Sequence, residues 1–223
     1  MLNKLKPTIA VVDSGIGGVS VLNALIDKYH SGNYIYFADN LYMPYGKRNK
    51  EFIKKRVDKI INLLNEKYQV DLIILACNTA SSSINKEDYK NVITISFNKN
   101  LVYLTTPLTK KNLPKKDIIA DRTLARLIEK YIFEPKKLDQ TIKNHINKYN
   151  LNNLNSLILG CTHYELAIDL FKKYLPNIEI YKNSDNILEN LNFKTDTETT
   201  DILFLQSKNS KAYQEKFFKL VRR

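Results

Sequence analysis

Cys77 and Cys161 are the only cysteines in the chain. Each closes an apolar run and opens a polar turn, in Leu72-Ile-Ile-Leu-Ala-Cys77-Asn78-Thr79 and in Leu157-Ile-Leu-Gly160-Cys161-Thr162-His163. A cysteine taken singly is often a small buried hydrophobe. Two thiols in equivalent settings suggest more: a pair of acid/base groups that could face one substrate from opposite sides, as proton transfer across a stereocentre requires. Each precedes a helix start, where the positive end of the helix dipole is expected to favour thiolate. Asn78, Thr79 and Thr162 add hydrogen-bonding groups, and His163, two residues beyond Cys161, has the side chain best suited to proton exchange near neutral pH. No C-x-x-C or H-E-x-x-H spacing is present, so neither a zinc site nor a thioredoxin-type redox site is expected.

Two further segments carry candidate groups. Asp13-Ser14-Gly15-Ile16-Gly17-Gly18-Val19-Ser20 follows an apolar run and opens a helical pattern. Its glycines invite a dinucleotide reading, and Asp39 closes the next strand. However, Ser20 stands where the third glycine of G-x-G-x-x-G belongs, and Asp13 puts negative charge where a pyrophosphate would sit. Asp13 is either a helix cap or a functional carboxylate at the carboxyl end of a strand, where open α/β sheets bind ligands. Met43-Pro44-Tyr45-Gly46-Lys47 is a turn in which proline and glycine fix the backbone path. Its place after the second strand makes it a candidate pocket wall.

The elements that position these residues follow from periodicity. Thr8–Val12, Tyr34–Ala38, Leu72–Ala76, Val92–Ser96 and Leu101–Thr105 are strand-like runs. Val19, Leu22, Leu25 and Ile26, then Phe52, Val57, Ile60, Ile61 and Leu64, recur at helical spacing. Ile118, Ile119, Leu124, Leu127, Ile128 and Tyr131 predict one long helix. A Lys/Asn-rich helix is expected over Pro135–Tyr149, then a strand at Leu157, a helix over Tyr164–Leu175, a strand at Ile178 and a short helix ending near Leu191. Thr195–Thr200 is the most loop-like stretch. Ile202–Leu205 and an amphipathic helix through Tyr213, Phe217, Phe218 and Leu220 complete the pattern. Strands alternating with helices predict parallel sheets covered on both faces.

The 223 residues can form one large or two small domains with a proper core. Hydrophobic residues at 43% and charged residues at 26% place the chain in the ordinary globular class. No apolar run approaches the ~20 residues of a membrane helix, and Met1–Pro7 lacks the apolar core of an export signal. A cytoplasmic location with reduced thiols and no membrane contact is therefore expected. The net charge of +12 raises the possibility of nucleic acid. Its carriers, such as Lys54-Lys55-Arg56, Lys110-Lys111, Lys115-Lys116 and Lys172-Lys173, are short and scattered, as on solvated faces. A diffuse positive field of this kind favours entry of a small acidic substrate.

Together, Asp13-Ser-Gly-Ile-Gly-Gly-Val-Ser-Val-Leu22, Ala38-Asp39 with Pro44-Tyr45-Gly46, Ala76-Cys-Asn-Thr-Ala-Ser81 and Leu159-Gly-Cys-Thr-His-Tyr164 resemble the cofactor-independent glutamate racemases of the aspartate/glutamate racemase superfamily. The resemblance implies two similar three-layer α/β domains with mostly parallel sheets, the active site in the cleft between them. The corresponding segments here are 1–97 with 200–223, and 98–199. It implies that Cys77 and Cys161 are the catalytic pair, that Asp13 supports Cys77 and His163 supports Cys161, and that Glu129 is an auxiliary carboxylate. By the same resemblance Ser14, Pro44, Tyr45, Gly46, Asn78, Thr79, Thr105 and Thr162 hold the amino acid. No cofactor or metal is implied; the partners are glutamate and, in a homodimer, a second copy. The chain departs from the family in lacking an additional helix after Ser96, and in placing Leu108 where a second threonine is expected. The residues leave open a preference for aspartate or another amino acid, and a non-catalytic binding or regulatory role.

Overall fold

The computed structural model of the chain describes residues 7–29, 32–97, 101–113, 117–189, 191 and 200–221. Strand β1 (Thr8–Asp13), helix α1 (Val19–Tyr29), β2 (Gly32–Ala38), α2 (Lys50–Tyr68), β3 (Leu72–Leu75), the single turn α3 (Asn78–Ser81) and β4 (Val92–Thr94) form the first α/β series. A second runs through β5 (Tyr103–Thr105), α4 (Pro107–Asn112), β6 (Ile118–Ala120), α5 (Leu124–Tyr131), α6 (Pro135–Lys148), β7 (Ser156–Gly160), α7 (Thr162–Glu165), α8 (Ile168–Tyr174), β8 (Glu179–Lys182) and α9 (Asp185–Glu189). The chain then adds β9 (Thr200–Gln206) and α10 (Lys211–Leu220).

The described strands form two parallel sheets, ordered β4-β3-β1-β2-β9 and β6-β5-β7-β8. Strand β9 pairs with β2 over its whole length, so the C-terminal segment returns to the first sheet. Every residue of β1 and β2 is buried, which explains runs such as Thr8–Val12 that are apolar without alternation. One face of this sheet is covered by Val19, Leu22 and Leu25 of α1 with Phe217 of α10. The other is covered by Ile53, Val57, Ile60, Ile61 and Leu64 of α2, the residues whose spacing predicts that helix. Helices α5, α6 and α8 pack Ile128, Ile142 and Phe171 onto Leu104, Leu157 and Leu159 of the second sheet. No helix among the described residues is long and apolar enough to cross a membrane.

Three expectations are corrected. Ile118 and Ile119 do not begin a helix; they form an edge strand paired with β5 through Tyr103↔Ile118 and Leu104↔Ile119. The helix starts only at Leu124, because Asp121 accepts from the Thr123 and Leu124 N–H groups and so caps it. The expected Tyr164–Leu175 helix is two helices, broken at Leu166-Ala167, with its first turn already started at Thr162. Strand Leu101–Thr105 is confined to Tyr103–Thr105. Positions 195–199 of the expected loop and 98–100 of the expected direct connection lie outside the described residues; on either side of the latter, Phe97 packs against Tyr103 with ring centroids 5.9 Å apart.

The C-terminal helix is held by an aromatic stack. Phe217 is fully buried, 4.3 Å from the Phe204 ring and 4.7 Å from that of Tyr36. Phe217→Ala is expected to destabilise the chain by roughly 3–5 kcal/mol, the cost of deleting a core aromatic. Urea unfolding followed by circular dichroism measures it.

Candidate active site

The candidate residues converge because the carboxyl ends of the two sheets face each other. Asp13 ends β1, Cys77 follows β3 within two residues, and Cys161 follows β7 directly. The glycine turn after β1 is pressed against the turn after β7. A methyl group on Gly17 would lie 2.5 Å from Thr162 Oγ1, 2.6 Å from His163 Nδ1 and 2.8 Å from the His163 backbone nitrogen. Only a residue without a side chain permits this approach. The turn that suggests a phosphate cradle is thus filled by the opposite lobe.

Asp13 is buried with both oxygens engaged: Oδ1 accepts from the Gly15 N–H at 2.8 Å and Oδ2 from Thr162 Oγ1 at 2.9 Å. The first bond is the local cap; the second crosses between lobes. Burial raises the pKa of this carboxyl above its ordinary value, against the opposing pull of His163 and the two donors. Cys77 is a free, buried thiol with Sγ 3.7 Å from Ser14 Oγ. Burial first, and Asp13 second, push it up to about 12. This reverses the expectation of a helix-lowered thiol. Helix α3 has only four residues and a correspondingly small dipole, and although the Ala80 N–H favours the thiolate, desolvation outweighs it.

Cys161, also free and buried, has a different neighbour. Burial alone would lower the pKa of His163, but hydrogen bonds to Cys161 and Glu129 reverse this and hold it well above its ordinary value. His163 Nε2 lies 2.5 Å from Glu129 Oε2. Glu129 is itself buried; desolvation opposes its charge, and the bond to His163, with Lys216 and Tyr213 nearby, keeps it ionised. Lys216 Nζ also donates to the Glu129 carbonyl. Helix α10 therefore reaches from the first lobe to brace the carboxylate of the second.

Around the thiols the hydroxyls fall differently from the sequence expectation. Thr105 Oγ1 donates to the Gly160 carbonyl at 2.7 Å, committed to the joint between β5 and β7. Its neighbours Thr106 and Thr109 form a buried triangle with Thr79, with sides of 3.0, 3.1 and 3.0 Å. Thr109, one residue beyond Leu108, has its hydroxyl held in this triangle. Tyr45 is also redirected: its hydroxyl donates to Asp39 at 2.5 Å, and Arg56 clamps the same carboxylate through two bonds. Tyr45 thereby anchors the Pro44–Gly46 turn. Pro44 and Gly46 line a cleft of about 790 Å³ between the lobes, with Thr106, Lys111, Arg122 and Arg126 opposite. Neither thiol lines this cleft, but Thr106 belongs both to its wall and to the triangle around Thr79.

Four groups were missed by sequence reasoning. Tyr213 and Lys216 lie on a helix whose pattern signals only amphipathicity. Asn183 and Glu165 carry a second contact between lobes: Asn183 Nδ2 donates to Asn78 Oδ1 at 2.7 Å, and Ser20 Oγ on α1 donates to Glu165 Oε2 at 3.1 Å. The location of Asn183 just beyond the carboxyl end of β8 was the available signal. Among the described residues, no group of three or more His, Cys, Asp or Glu could hold a metal ion.

No family profile matches the chain. Among curated proteins, the glutamate racemase of Lachnospira eligens is 31% identical over 212 residues, covering 82% of this chain and 80% of that protein. The solved structure of glutamate racemase from Campylobacter jejuni subsp. jejuni superposes with a TM-score of 0.79 at 25% identity, over 97% of this chain and 100% of that one. The Francisella tularensis glutamate racemase solved with D-glutamate shares the fold, with a TM-score of 0.78 at 23% identity over 98% and 94% of the two chains.

Glu165 sets a pH dependence of stability. Burial raises it from 4.5 to about 7, although Ser184 and Ser20 donate to it. A carboxyl raised on folding stabilises the fold fully below its unfolded value, and that contribution is lost as pH rises through the folded value. The melting temperature is therefore expected to fall from about pH 5 to about pH 8 more steeply in the native chain than in Glu165→Gln, which stays neutral throughout. Thermal unfolding of both chains across that range checks it.

Proposed function

The chain belongs to the glutamate racemase family, and from that premise we propose that it interconverts L- and D-glutamate without cofactor by a two-base proton transfer between Cys77 and Cys161. The observation that carries this reading is the pairing of two buried free thiols with two different acid/base partners, Asp13 beside one and His163 with Glu129 beside the other. One thiolate takes the α-proton while the opposite thiol delivers a proton to the other face. The roles exchange with the handedness of the substrate. Asp13, its carboxyl raised by burial, is suited to receive and return the Cys77 proton, whereas His163, held protonated beside Glu129, is suited to give a proton to Cys161 and take it back.

The α-C–H beside a carboxylate is a weak acid, so developing negative charge must be met by fixed donors in a site closed to water. Ser14, whose hydroxyl lies against Cys77, and Asn78, which follows it, are buried and can supply them, with Thr79 and Thr162 holding the surrounding hydroxyl and carboxyl groups in place. The Asn78 Nδ2 group has no protein partner, which suits it to a substrate oxygen. Entry is assigned to the cleft at Pro44 and Gly46, whose basic rim suits an acidic amino acid. Residues 1–97 with 200–223, and 98–199, are assigned to two domains around this site. The product is assigned to peptidoglycan synthesis in a bacterial cytoplasm, and the active form to a homodimer.

Cys77→Ala and Cys161→Ala are each expected to reduce racemisation of either enantiomer by at least about 10²–10⁴-fold, the range for removal of a positioned acid or base. Polarimetric or circular-dichroism assay of L- and D-glutamate, with aspartate in parallel, measures both the loss and the choice of side chain. Unimpaired racemisation by either variant contradicts the two-base scheme.

A further inference from the structure

Asn78 is gripped from the other lobe in a way that decides which end of its amide is free. It follows Cys77 directly and is 2% exposed. Its Oδ1 accepts from Asn183 Nδ2 at 2.7 Å, whereas its own Nδ2 is buried without a partner. A buried unpaired donor is costly, and the cost is recovered only if a ligand oxygen reaches it. Asn183, 2% exposed, lies in the two-residue turn between β8 and α9. That turn is fixed on the catalytic segment: the Ser184 N–H donates to Glu165 Oε1 at 3.1 Å and its hydroxyl to Oε2 at 2.5 Å. Farther along, Asn186 Nδ2 donates to Ser96 Oγ at 2.8 Å, tying the same segment to the first lobe.

We propose that Asn183 is a positioning residue for the racemase reaction: by donating to Asn78 Oδ1 it turns the Asn78 NH₂ toward a carboxylate of the bound amino acid. The inference rests on the racemase reading. An amide can present either its carbonyl or its NH₂, and only the NH₂ attracts a carboxylate. Without a donor on Oδ1, the two orientations compete, and one of them sets lone pairs against the substrate's negative charge. Because the donor comes from the second lobe and the amide from the first, the substrate-facing end of Asn78 is fixed only when the lobes are together.

The test compares Asn183→Ala, Asn183→Asp, Asn78→Ala and the Asn78→Ala/Asn183→Ala double variant with the native chain. Asn183→Ala is expected to raise KM for both enantiomers about tenfold, with kcat falling less than about threefold, as for loss of one charge-assisted hydrogen bond. Asn183→Asp, nearly isosteric, raises KM at least as much, because its carboxylate accepts from the Asn78 NH₂ and turns it away from the substrate. The double variant matches Asn78→Ala alone. A native-like KM in Asn183→Asp, or multiplied losses in the double variant, overturns the proposal. Calorimetric titration of glutamate into the same variants reads the contact without turnover. A native chain that binds glutamate but does not racemise it counts against the racemase reading alone, equal affinity of the native chain and Asn183→Asp counts against the role of Asn183, and absence of binding overturns both.

Discussion

The structure depends on one buried contact, where the glycine turn after β1 meets the Cys161–His163 turn after β7. Asp13 accepts from Thr162, Gly17 abuts His163, and Gly15 would place a methyl group 2.7 Å from Glu129 Oε2. These polar groups are buried, so each bond across the joint satisfies an atom that would otherwise be desolvated without a partner, at a cost of about 1–3 kcal/mol. The same contact brings the candidate groups together and keeps them buried.

From this joint follows an asymmetry between two thiols that look equivalent in the sequence. Cys77 stands beside a carboxylate and is pushed up to about 12 by burial and by Asp13. Cys161 stands beside a histidine held charged by Glu129, whose own position is fixed by α10. The two thiols therefore have neighbours of opposite charge, a carboxyl raised by burial beside Cys77 and a charged imidazole beside Cys161. In the two-base scheme proposed above, each thiol acts as acid for one enantiomer and as base for the other.

Much of this was legible in the chain because local chemistry and tertiary position coincide. Apolar runs ending in Asp13, Cys77 and Cys161 mark parallel strands, and the carboxyl ends of such strands are where ligands bind. The α2 periodicity predicts the face that the helix buries. What failed did so for physical reasons. Ile118 and Ile119 have the apolarity of a helix face, but pairing with β5 makes them a strand. Thr105 turns its hydroxyl to the Gly160 carbonyl and Thr106 to Thr79, because successive residues at the strand end point to opposite sides, which strand periodicity alone does not assign to a face. Bracing of Glu129 by Lys216, and of Asn78 by Asn183, joins residues 87 and 105 positions apart. No local pattern encodes such pairs.

The most direct test of two opposed thiols is solvent-proton incorporation during a single direction of reaction. Racemisation of L-glutamate, and separately of D-glutamate, is run in deuterated water and stopped early, and the α-position of each enantiomer is read by NMR or mass spectrometry. With Cys77 and Cys161 on opposite faces, newly formed product carries deuterium while recovered starting enantiomer remains protiated, in both directions. Deuterium appearing equally fast in the starting enantiomer, or product formed with its original proton, contradicts the account.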